Sequence, residues 1–548
     1  MTTLKMQSGV LIVGAGPTGL TLANLLGQSG ISTILLERKT GTVAEPRAVS
    51  IDDESLRTMQ AIGLEQEVLK DVVPGYGVHY FNRPGGQCFG KVEPVSTLYG
   101  FPKRNAFRQP LFEATLRQGL MRFPSLTTCF NHELLSFQQH DDCVVARVKN
   151  ELDEEIEITA SYLVACDGGR SPVRKQLGVA MVGSSFQSRW LVVDTDQDDD
   201  PFWQTRVYCD ARRPIVEVPG PHQTRRFELM LRPDESDEEM LADEKIGELL
   251  RPFRGDKPTS VVRKTVYTFH ARVAERWRAG RVFLAGDAAH LTPPYAGQGM
   301  NSGIRDAHNL GWKLAQVLKG DMAPSVLETY ESERKDHAWA LIQLALNLGV
   351  VMAPASVLRA KLISGLFKTI GMVPPLRDYF LQMRFKPKPR FTTGLVVPSG
   401  TASPHKTGEM FPQPMLIDAA GGCVKLDELI GDGFALIQCG LPASNDLSRL
   451  RHPLWNTLKA QRILIQPADA DLSAAACRGI RALKDQHSML PPACFESRAI
   501  LLLRPDRYIA AIFDCHDEEH IVQALQGLFG TTTPMPFAGF TVAAEALR

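Results

Sequence analysis

The sequence predicts an α/β protein of more than one domain. The chain has 548 residues, which is too many for one ordinary hydrophobic core and favours two or three domains. Two apolar strands, one near residue 10 and one near residue 284, each run into a glycine-rich loop that opens a helix. Strand-like runs between them suggest an inserted antiparallel sheet. The two glycine-rich junctions therefore predict a ligand-binding α/β domain that is interrupted by a sheet domain.

The N-terminal junction has the pattern of a dinucleotide-binding βαβ unit. Val10–Val13 is a short apolar strand, the glycine loop follows at Gly14–Gly19, and Leu20–Gln28 has a helical pattern. The second strand, Thr33–Leu36, ends at the acid Glu37. A G-x-G-x-x-G loop alone is a weak signal, but both strands, the helix and the terminal acid together indicate a Rossmann-like domain.

Each position of this unit has a physical role. The first glycine makes the tight turn, the second lets a pyrophosphate approach the backbone, and the third allows close packing of helix on strand. The terminal acid binds an adenosine ribose hydroxyl, which does not distinguish NAD from FAD because both carry that ribose. The arginine after it contacts the adenine or ribose, or is simply solvated. The predicted cofactor-binding residues here are Gly14, Gly16, Pro17, Gly19, Glu37 and Arg38.

The second junction follows the apolar strand Val282–Ala285. Its loop, Gly286–Gly303, is rich in glycine, and Ile304–Leu318 continues as an amphipathic helix with apolar residues at helical spacing. Unpartnered backbone N–H groups and the positive end of the helix dipole point out of such a junction. Asp287 can accept hydrogen bonds from a sugar or polyol hydroxyl. The alternative is a structural turn in which Asp287 serves as a cap.

The strand and helix patterns divide the chain into three predicted domains. A discontinuous dinucleotide-binding domain with a helical extension covers residues 1–75, 104–185 and 276–395. An antiparallel sheet domain covers residues 76–103 and 186–275. Residues 396–548 alternate strand-like and helix-like segments after a proline-rich linker, and they predict a small third α/β domain.

Composition and charge exclude several classes of function. Lys+Arg 61 equals Asp+Glu 61, so the chain lacks the basic character of a protein that binds nucleic acid or an acidic membrane surface. The N-terminus has no secretory-signal pattern, and no apolar stretch has the uninterrupted length of a membrane span. The 10 cysteines are scattered without C-x-x-C or zinc spacing. This predicts no metal site and a cytoplasmic protein with reduced thiols.

Three motifs stand in chain order: Gly14–Gly19 with Glu37, then Asp167-Gly168, then Gly286-Asp287 with its glycine-rich loop. Together they resemble the FAD-dependent aromatic hydroxylases, which are single-component flavoprotein monooxygenases of the p-hydroxybenzoate hydroxylase and phenol hydroxylase type. The resemblance covers residues 8–395 and is greatest to the 3-(3-hydroxyphenyl)propionate hydroxylase branch. The C-terminal part resembles the thioredoxin-like tail of phenol-hydroxylase-type members, but it lacks their redox C-x-x-C.

The resemblance implies roles for further residues by motif position. Arg47 and Gln109 match positions near the FAD pyrophosphate and ribityl chain, and Asp167 matches a motif that serves both FAD and the pyridine nucleotide. Asp287 would bind the ribityl chain. The residues implied to lie against the isoalloxazine are Pro294, Gly299, Met300 and Asn301.

The resemblance also implies a reaction. NADH or NADPH binds transiently and reduces FAD, and the absence of a second G-x-G-x-x-G fingerprint agrees with a transient donor. Reduced flavin and O2 give a C4a-hydroperoxide, which hydroxylates a small phenolic substrate. His290 could relay a proton, or it could be structural, and the backbone of Pro293 could position oxygen or substrate. Tyr208, Arg189 and Trp190 lie where the pocket is expected, but no catalytic base can be named.

Two other functions share these motifs. One is a tailoring hydroxylase or epoxidase that acts on a polyketide-like natural product. The other is a non-catalytic flavin-binding protein that uses its C-terminal domain as a partner surface, although the intact glycine loop and Asp287 argue against it. For either enzyme the resemblance leaves room for a homodimer, and it does not decide between NADH and NADPH.

Overall fold

The computed structural model of the chain describes residues 5–41, 47–257, 259–398, 400–440, 447–470, 472 and 480–530. The ends of the predicted first and last domains, residues 1–4 and 531–548, lie outside the described residues. Within the described part, the strands form two sheets of eight strands, one of seven and one of three. The predicted α/β class is confirmed, and the exact domain boundaries stay a prediction.

The first sheet contains the N-terminal βαβ unit. Lys5–Val13 pairs in parallel with Thr33–Glu37 on one side and with Glu155–Ala165 on the other, and Val282–Leu284 adds in parallel beside Glu155–Ala165. Since these strands point the same way, the three motifs that follow them meet at one edge of the sheet. The spatial order is Arg278–Ala279, Val282–Leu284, Glu155–Ala165, Lys5–Val13, Thr33–Glu37 and Leu126–Phe130, with Val144–Lys149 and Glu133–Gln139 branching antiparallel from Glu155–Ala165.

Helices cover this sheet. Pro17–Gln28 and Gly299–Leu318, which start from the two glycine-rich junctions, pack closely because Gly311 brings its backbone against Leu22 and Leu25. Both helices begin several residues earlier than their apolar periodicity predicted, since their first turns face the glycine loops rather than the core. The other helices of this region are Asp53–Ala61, Glu65–Leu69, Gln109–Leu120 and Pro172–Gln176.

The second sheet forms the inserted domain. Its strands are antiparallel except for Thr205–Tyr208 and Val78–Phe81, which pair in parallel because the two predicted parts of the domain meet there. The sheet also includes residues from outside the predicted boundaries, since one strand starts at Met181 and another is His290–Leu291. The spatial order is His290–Leu291, Ser260–Ala274, Met181–Asp196, Arg225–Met230, Ile215–Pro219, Thr205–Tyr208, Val78–Phe81 and Cys88–Val92.

Small elements complete this domain and its junction with the first. Helices Asp237–Met240 and Asp243–Arg254 cover the outer face of the second sheet, where Ile246 and Leu250 are buried. A three-stranded sheet lies between the two large sheets. Its strands are, in spatial order, Ser50–Ile51, Asn105–Phe107 and Val72–Pro74.

A helical extension follows helix Gly299–Leu318. It is broken into Thr329–Met352, Val357–Gly371 and Pro374–Leu381 rather than running as one helical stretch. The first break precedes Pro354, whose ring cannot continue the helix. Among the described residues no single helix is long and apolar enough to cross a membrane; one bent pair, Pro324–Met352 with Val357–Gly371, meets those two criteria jointly across an angle of 109°.

The C-terminal domain is built on a seven-stranded mixed sheet. The apolar runs at 435–438, 462–466, 499–503 and 508–512 predict four strands, and all four are present. Three further strands, Met415–Ile417, Cys423–Lys425 and Arg481–Asp485, were not predicted because their sequences are polar or brief. The thioredoxin-like assignment of this domain stays a prediction. The spatial order is Cys423–Lys425, Met415–Ile417, Arg481–Asp485, Gln461–Gln466, Ala435–Cys439, Ile500–Leu503 and Ile509–Phe513, with helices Leu426–Ile430, Leu454–Thr457, Pro492–Glu496 and Glu518–Phe529.

Candidate functional site

The edge where the parallel strands end opens into a cavity of about 800 Å³. One arm of the cavity, the dinucleotide arm, follows the strand ends of the first sheet. The other, the sheet arm, extends along the second sheet towards the helical extension. This volume is typical of a pocket for a cofactor or a drug-sized molecule. The sequence-predicted residues that line it are Gly14, Gly16, Pro17, Glu37, Arg38, Arg47, Gln109, Asp167, Asp287, Pro294, Gly299 and Met300.

The glycines of the first junction have distinct surroundings. Gly14 has φ +105°, and a Cβ there would lie 2.4 Å from the Cys166 carbonyl oxygen. A Cβ on Gly19 would lie 2.0 Å from the Gly14 carbonyl oxygen, so Gly19 serves the packing of the helix and does not line the cavity. A Cβ on Gly16 would meet no protein atom within 4 Å and would project into the cavity. The loop therefore leaves space for a ligand at Gly16.

Two helices begin at the cavity without side-chain caps. Gly16 and Gln298 are the N-cap residues of Pro17–Gln28 and Gly299–Leu318, and neither helix has a side-chain hydrogen bond at its cap. Their first backbone N–H groups and the positive ends of their dipoles therefore face the dinucleotide arm. Such helix ends bind anionic groups, phosphate above all.

Two carboxylates in the dinucleotide arm have oxygens that can accept further hydrogen bonds. Asp167 Oδ2 accepts a hydrogen bond from the Val173 N–H at 3.2 Å, but its buried Oδ1 has no partner among the described residues. Asp287 opens to the cavity from the short 3-10 helix Gly286–Ala288. Burial raises the pKa of both carboxyls. A ligand with hydroxyl donors would supply the missing hydrogen bonds.

The acid at the end of the second strand is held in place by the backbone. Glu37 Oε2 accepts a hydrogen bond from the Ala15 N–H at 2.9 Å, and its Oε1 accepts one from the Lys39 N–H at 3.0 Å. Each carboxylate oxygen can accept a second hydrogen bond. The arm thus combines two anion-binding helix ends with three hydroxyl-accepting acids, which fits an elongated dinucleotide.

Comparisons with known proteins agree with this geometry. A family model described as an FAD binding domain matches residues 7–345, and one described as the HcaD C-terminal domain matches residues 408–528. The chain is 39% identical over 508 residues to the 3-(3-hydroxy-phenyl)propionate/3-hydroxycinnamic acid hydroxylase of Escherichia coli strain SMS-3-5, covering 92% of this chain and 91% of that one. The chain belongs to the FAD-dependent aromatic hydroxylases. Its cofactors are FAD and, as the reductant, NADH or NADPH.

Other similar proteins support the same fold for this hydroxylase. The hydroxylase of the same name from Klebsiella pneumoniae is 38% identical over 511 residues, with 92% of this chain and 91% of the relative covered. A crystal structure of the flavin-dependent monooxygenase PieE with FAD and substrate matches with a TM-score of 0.79 at 21% identity, covering 96% and 99% of the two chains. Aklavinone-11 hydroxylase with FAD and aklavinone matches with a TM-score of 0.74 at 24% identity, covering 95% and 99%. At these identities the structures show the fold alone.

In the hydroxylase, Gln109 lines the cavity and also holds the backbone at Arg47. Its Oε1 accepts hydrogen bonds from the N–H groups of Arg47 and Ala48 at 2.8 and 2.6 Å, and its Nε2 donates to Glu113 at 2.7 Å. The Arg47 carbonyl in turn accepts a hydrogen bond from Arg226 of the second sheet at 2.6 Å. Gln109 and Arg226 therefore fix the backbone from which the Arg47 side chain extends into the cavity.

Asn301 is not on the cavity surface, although its neighbours Gly299 and Met300 are. Its Oδ1 accepts hydrogen bonds from Asp52 N–H at 3.0 Å and Ser55 Oγ at 2.8 Å. Its Nδ2 donates to the carbonyl groups of Ser50 and Gly297 at 3.1 and 2.8 Å. The side chain is fully used in holding the loop against the segment Ser50–Ser55, and contact of Asn301 with a flavin ring stays a prediction.

The two predicted catalytic residues of the hydroxylase do not reach the cavity. His290 is completely buried, its Nε2 lies 2.7 Å from Asp306 Oδ2, and its ring stacks on Trp277 at a centroid distance of 5.2 Å. Asp306 also accepts hydrogen bonds from Arg334 and from the Gly286 N–H. Pro293 is buried and also lies outside the cavity lining. We correct the proton-relay hypothesis, because His290 braces the glycine-rich loop from behind.

The sheet arm contains residues that sequence reasoning missed. Strands alternate their side chains between two faces, and Val207 faces the cavity whereas Tyr208 packs into the outer core with a hydrogen bond to Glu217 at 3.1 Å. Of the other candidates, Arg189 pairs with Asp237 at the surface and Trp190 is buried behind Tyr295. The sequence shows that side chains alternate between the two faces of each strand, but it does not show which face points towards the cavity. The missed lining residues are Tyr76, Val78, Tyr80, Val92, Arg104, Thr205, Val207, Val216, Val218, Glu228, Tyr295, Leu348, Met352, Met383 and Phe385.

Proposed function

We propose that FAD lies along the dinucleotide arm, with its pyrophosphate at Gly14–Gly16 and its adenosine ribose at Glu37. The uncapped helix end at Gly16 and the open space above its Cα support this assignment. The ribityl hydroxyls lie at Asp287 and within reach of Asp167, whose unpartnered oxygen supports such a contact. Arg38 lies at the adenine end, and Arg47 extends over the flavin side of the arm.

The flavin ring then lies against Pro294, Gly299 and Met300, where helix Gly299–Leu318 begins. Bound flavin supplies hydride acceptance from NAD(P)H and the activation of O2. Reduced flavin carries negative charge, and a helix N-terminus stabilises nearby negative charge by about 0.3–1 kcal/mol, or up to about 2 kcal/mol when partly buried. The task of this chain's residues is to hold that ring, to orient the substrate beside it and to keep water out.

The proposed substrate is a 3-hydroxyphenyl-substituted short-chain acid such as 3-(3-hydroxyphenyl)propionate or 3-hydroxycinnamate. The observation that carries this proposal is 39% identity across 92% of the chain to a hydroxylase named for these compounds. The sheet arm supports it, because its wall is largely apolar with Arg104 as a cation that could face a carboxylate. The arm opens directly into the part of the cavity where Pro294 and Met300 lie, so a ring bound there is next to the flavin.

The test is NADH and NADPH oxidation together with O2 uptake by the purified yellow protein. We expect 3-(3-hydroxyphenyl)propionate or 3-hydroxycinnamate to stimulate oxidation at least about tenfold, with one hydroxylated product per NAD(P)H. 3-Phenylpropionate is the matched control, because it lacks the hydroxyl that activates the ring. Stimulation by neutral polycyclic compounds alone would favour the tailoring-enzyme alternative. If NAD(P)H does not reduce the bound FAD in the presence of any of these compounds, the result would favour a non-catalytic binding protein.

We also propose that the protein is a homodimer in the cytoplasm, where its nicotinamide reductant is available. On helix Val357–Gly371, Ile363 and Phe367 pack against the second sheet, while a second apolar stripe at helical spacing faces outward. Exposed apolar patches of this kind mark interaction surfaces. The outward residues are Leu358 at 68% exposure, Leu362 at 64%, Leu366 at 59% and Met372 at 82%.

We expect sedimentation to give a mass twice that of the 60.5 kDa chain. A double variant, Leu362→Glu with Leu366→Glu, should sediment as a monomer with its FAD content unchanged, since neither residue lies at the cavity. Exchange of the exposed Leu152 for Glu is the control, because it lies on a turn of the first domain. A wild-type monomer at micromolar concentration would contradict the dimer proposal.

A further inference from the structure

The cavity-facing side of the second sheet has an ordered pattern. Glu228, Val216, Val207 and Tyr80 lie directly opposite one another on four neighbouring strands, so their side chains share one face. All four line the cavity. The next row on the same face begins with Arg226, which does not line the cavity, and its three lining residues, Val218, Thr205 and Val78, are apolar apart from one hydroxyl. Glu228 therefore stands as the carboxylate at one end of an otherwise apolar strip.

Glu228 has one ion-pair partner and spare hydrogen-bond capacity. Its side chain is 13% exposed, and Arg226 Nη1 lies 3.8 Å from Glu228 Oε1. That arginine already donates to both oxygens of Asp194, at 2.7 and 3.0 Å, and to the Arg47 carbonyl. Glu228 accepts no hydrogen bond from a described residue. Burial raises its pKa, as expected for a carboxylate that needs a hydrogen-bond donor.

Arg104 occupies the other end of the strip. Its Nη2 donates to the Tyr76 hydroxyl at 3.1 Å, and its guanidinium lies over the Tyr76 ring at 4.7 Å. Burial raises the pKa of Tyr80 to about 12, and the charge of Arg104 opposes this rise, so Arg104 lies near the Tyr80 end of the row. Arg104 forms no ion pair with a described residue. Its remaining guanidinium N–H groups can bind a carboxylate from the cavity.

The separation of the two charges suits a small aromatic acid. Tyr80 lies three strands from Glu228, which is about 14 Å at the usual spacing between strands. Both charged side chains are long and shorten this gap. Val216 and Val207 form the apolar floor between them, on which an aromatic ring can lie. The pKa of Tyr295 is raised mainly by burial and further by the nearby charge of Glu228. Because Tyr295 belongs to the glycine-rich loop Gly286–Gly303, the Glu228 end of the strip is the end nearer that loop.

We propose that Arg104 binds the substrate carboxylate and that Glu228 accepts a hydrogen bond from the phenolic hydroxyl, so that two opposite charges orient the ring beside the flavin. This inference rests on the proposed function. A hydrogen bond to a carboxylate increases electron density on the phenol oxygen and on the ring carbons ortho and para to it, which are the carbons that attack an electrophilic oxygen. Tyr76 is a positioning residue for Arg104.

Dissociation constants of three ligands, read from the flavin absorbance of the holoenzyme, test the orientation. The ligands are 3-(3-hydroxyphenyl)propionate, 3-propylphenol without a carboxylate, and 3-phenylpropionate without a hydroxyl. We expect Arg104→Met to weaken binding of the two acids about 10- to 100-fold and that of 3-propylphenol less than about threefold. Glu228→Gln should weaken binding of the two phenols about 3- to 30-fold and leave 3-phenylpropionate unchanged. Glu228→Gln should also lower kcat for 3-(3-hydroxyphenyl)propionate.

Matched variants make the result decisive. Lys103→Met removes the neighbouring cation, which donates to the Gln382 carbonyl and does not line the cavity, and it should leave all three constants unchanged. Arg104→Lys should restore part of the affinity for the acids. Equal weakening of all three ligands by Arg104→Met, or unchanged binding, would overturn the inference. If wild-type enzyme neither binds nor hydroxylates 3-(3-hydroxyphenyl)propionate, the proposed function fails, whereas non-selective variants of an active enzyme refute the orientation alone.

Discussion

A Gly16→Ala protein should fold normally and bind FAD about 10- to 100-fold more weakly than wild type. Gly16 has φ −79°, which alanine adopts without strain, and its added Cβ would meet no protein atom within 4 Å. The methyl group would instead occupy space at the uncapped helix end where we place the pyrophosphate. Overpacking a close contact costs about 1–3 kcal/mol, and each 1.4 kcal/mol changes affinity about tenfold.

Gly19→Ala should behave differently, because its Cβ would lie 2.0 Å from the Gly14 carbonyl oxygen and 3.2 Å from Cys166 Cβ. Backbone atoms must move, so both apoprotein stability and FAD affinity should fall. Gly247→Ala is the control, since Gly247 lies inside helix Asp243–Arg254 with nothing within 4 Å of its Cβ and is remote from the cavity. It should stabilise the helix by about 0.5–1 kcal/mol and leave FAD binding unchanged.

The measurements are thermal unfolding of the three apoproteins and FAD titration followed by flavin fluorescence. A Gly16→Ala protein that binds FAD with wild-type affinity would mean that the pyrophosphate does not lie at this junction. A Gly16→Ala apoprotein as unstable as the Gly19→Ala apoprotein would mean that the loop has only a packing role.

Arg504→Met should lower the free energy of unfolding by about 3–5 kcal/mol, the cost of breaking a buried ion pair from one side. Arg504 belongs to the C-terminal domain and is fully buried. It donates two hydrogen bonds to Glu333 of helix Thr329–Met352, both at 2.8 Å, and two to Asp506, at 2.9 and 2.6 Å. Burial would raise the pKa of Glu333, but Arg504 and Lys313 outweigh it and lower that pKa to about 2. Arg504→Met removes the larger of these two lowering influences and leaves Glu333 buried with Lys313, at 2.8 Å, as its remaining cation.

Denaturant unfolding of the holoenzyme with FAD content checked at each step measures this effect. Arg377→Met is the matched control, because Arg377 pairs with Asp378 at 3.1 Å while both side chains are about half exposed. Exposed pairs contribute about 0–1 kcal/mol, so the control should be close to wild type. A loss below about 1 kcal/mol for Arg504→Met would show that apolar packing, rather than this ion pair, docks the C-terminal domain.

The dinucleotide arm was predictable because its determinants are local. The spacing of Gly14, Gly16 and Gly19 and the acid Glu37 at a strand end define one βαβ unit within a short segment. Asp167 and Asp287 are far apart in the chain, yet both follow strands of one parallel sheet. Parallel strands bring their carboxyl ends to a common edge, so adjacency followed from topology alone.

The direction of a side chain was not predictable in the same way. His290 and Asn301 lie in the glycine-rich segment that borders the flavin side of the cavity, but each points away from it. The partner of His290 is Asp306 on the following helix, and Asn301 bonds to residues near position 50. Burial of a polar side chain requires such partners, and the sequence does not say where they are. The sequence therefore left both a proton relay and a structural role open for His290.

The sheet arm depends on contacts between distant segments. Tyr80, Arg104 and Glu228 come from three separate stretches, and they face one cavity because of strand register and of the parallel pairing between Thr205–Tyr208 and Val78–Phe81. Alternation along a strand predicts two faces but not which one is inward. The sequence by itself determined the α/β class and the two glycine-rich junctions, because glycine loops at strand ends act locally, and its resemblance to the aromatic hydroxylases implied FAD. Only the tertiary structure decided which side chains face the sheet arm of the cavity, because strand register and side-chain direction are set by packing between segments remote in sequence.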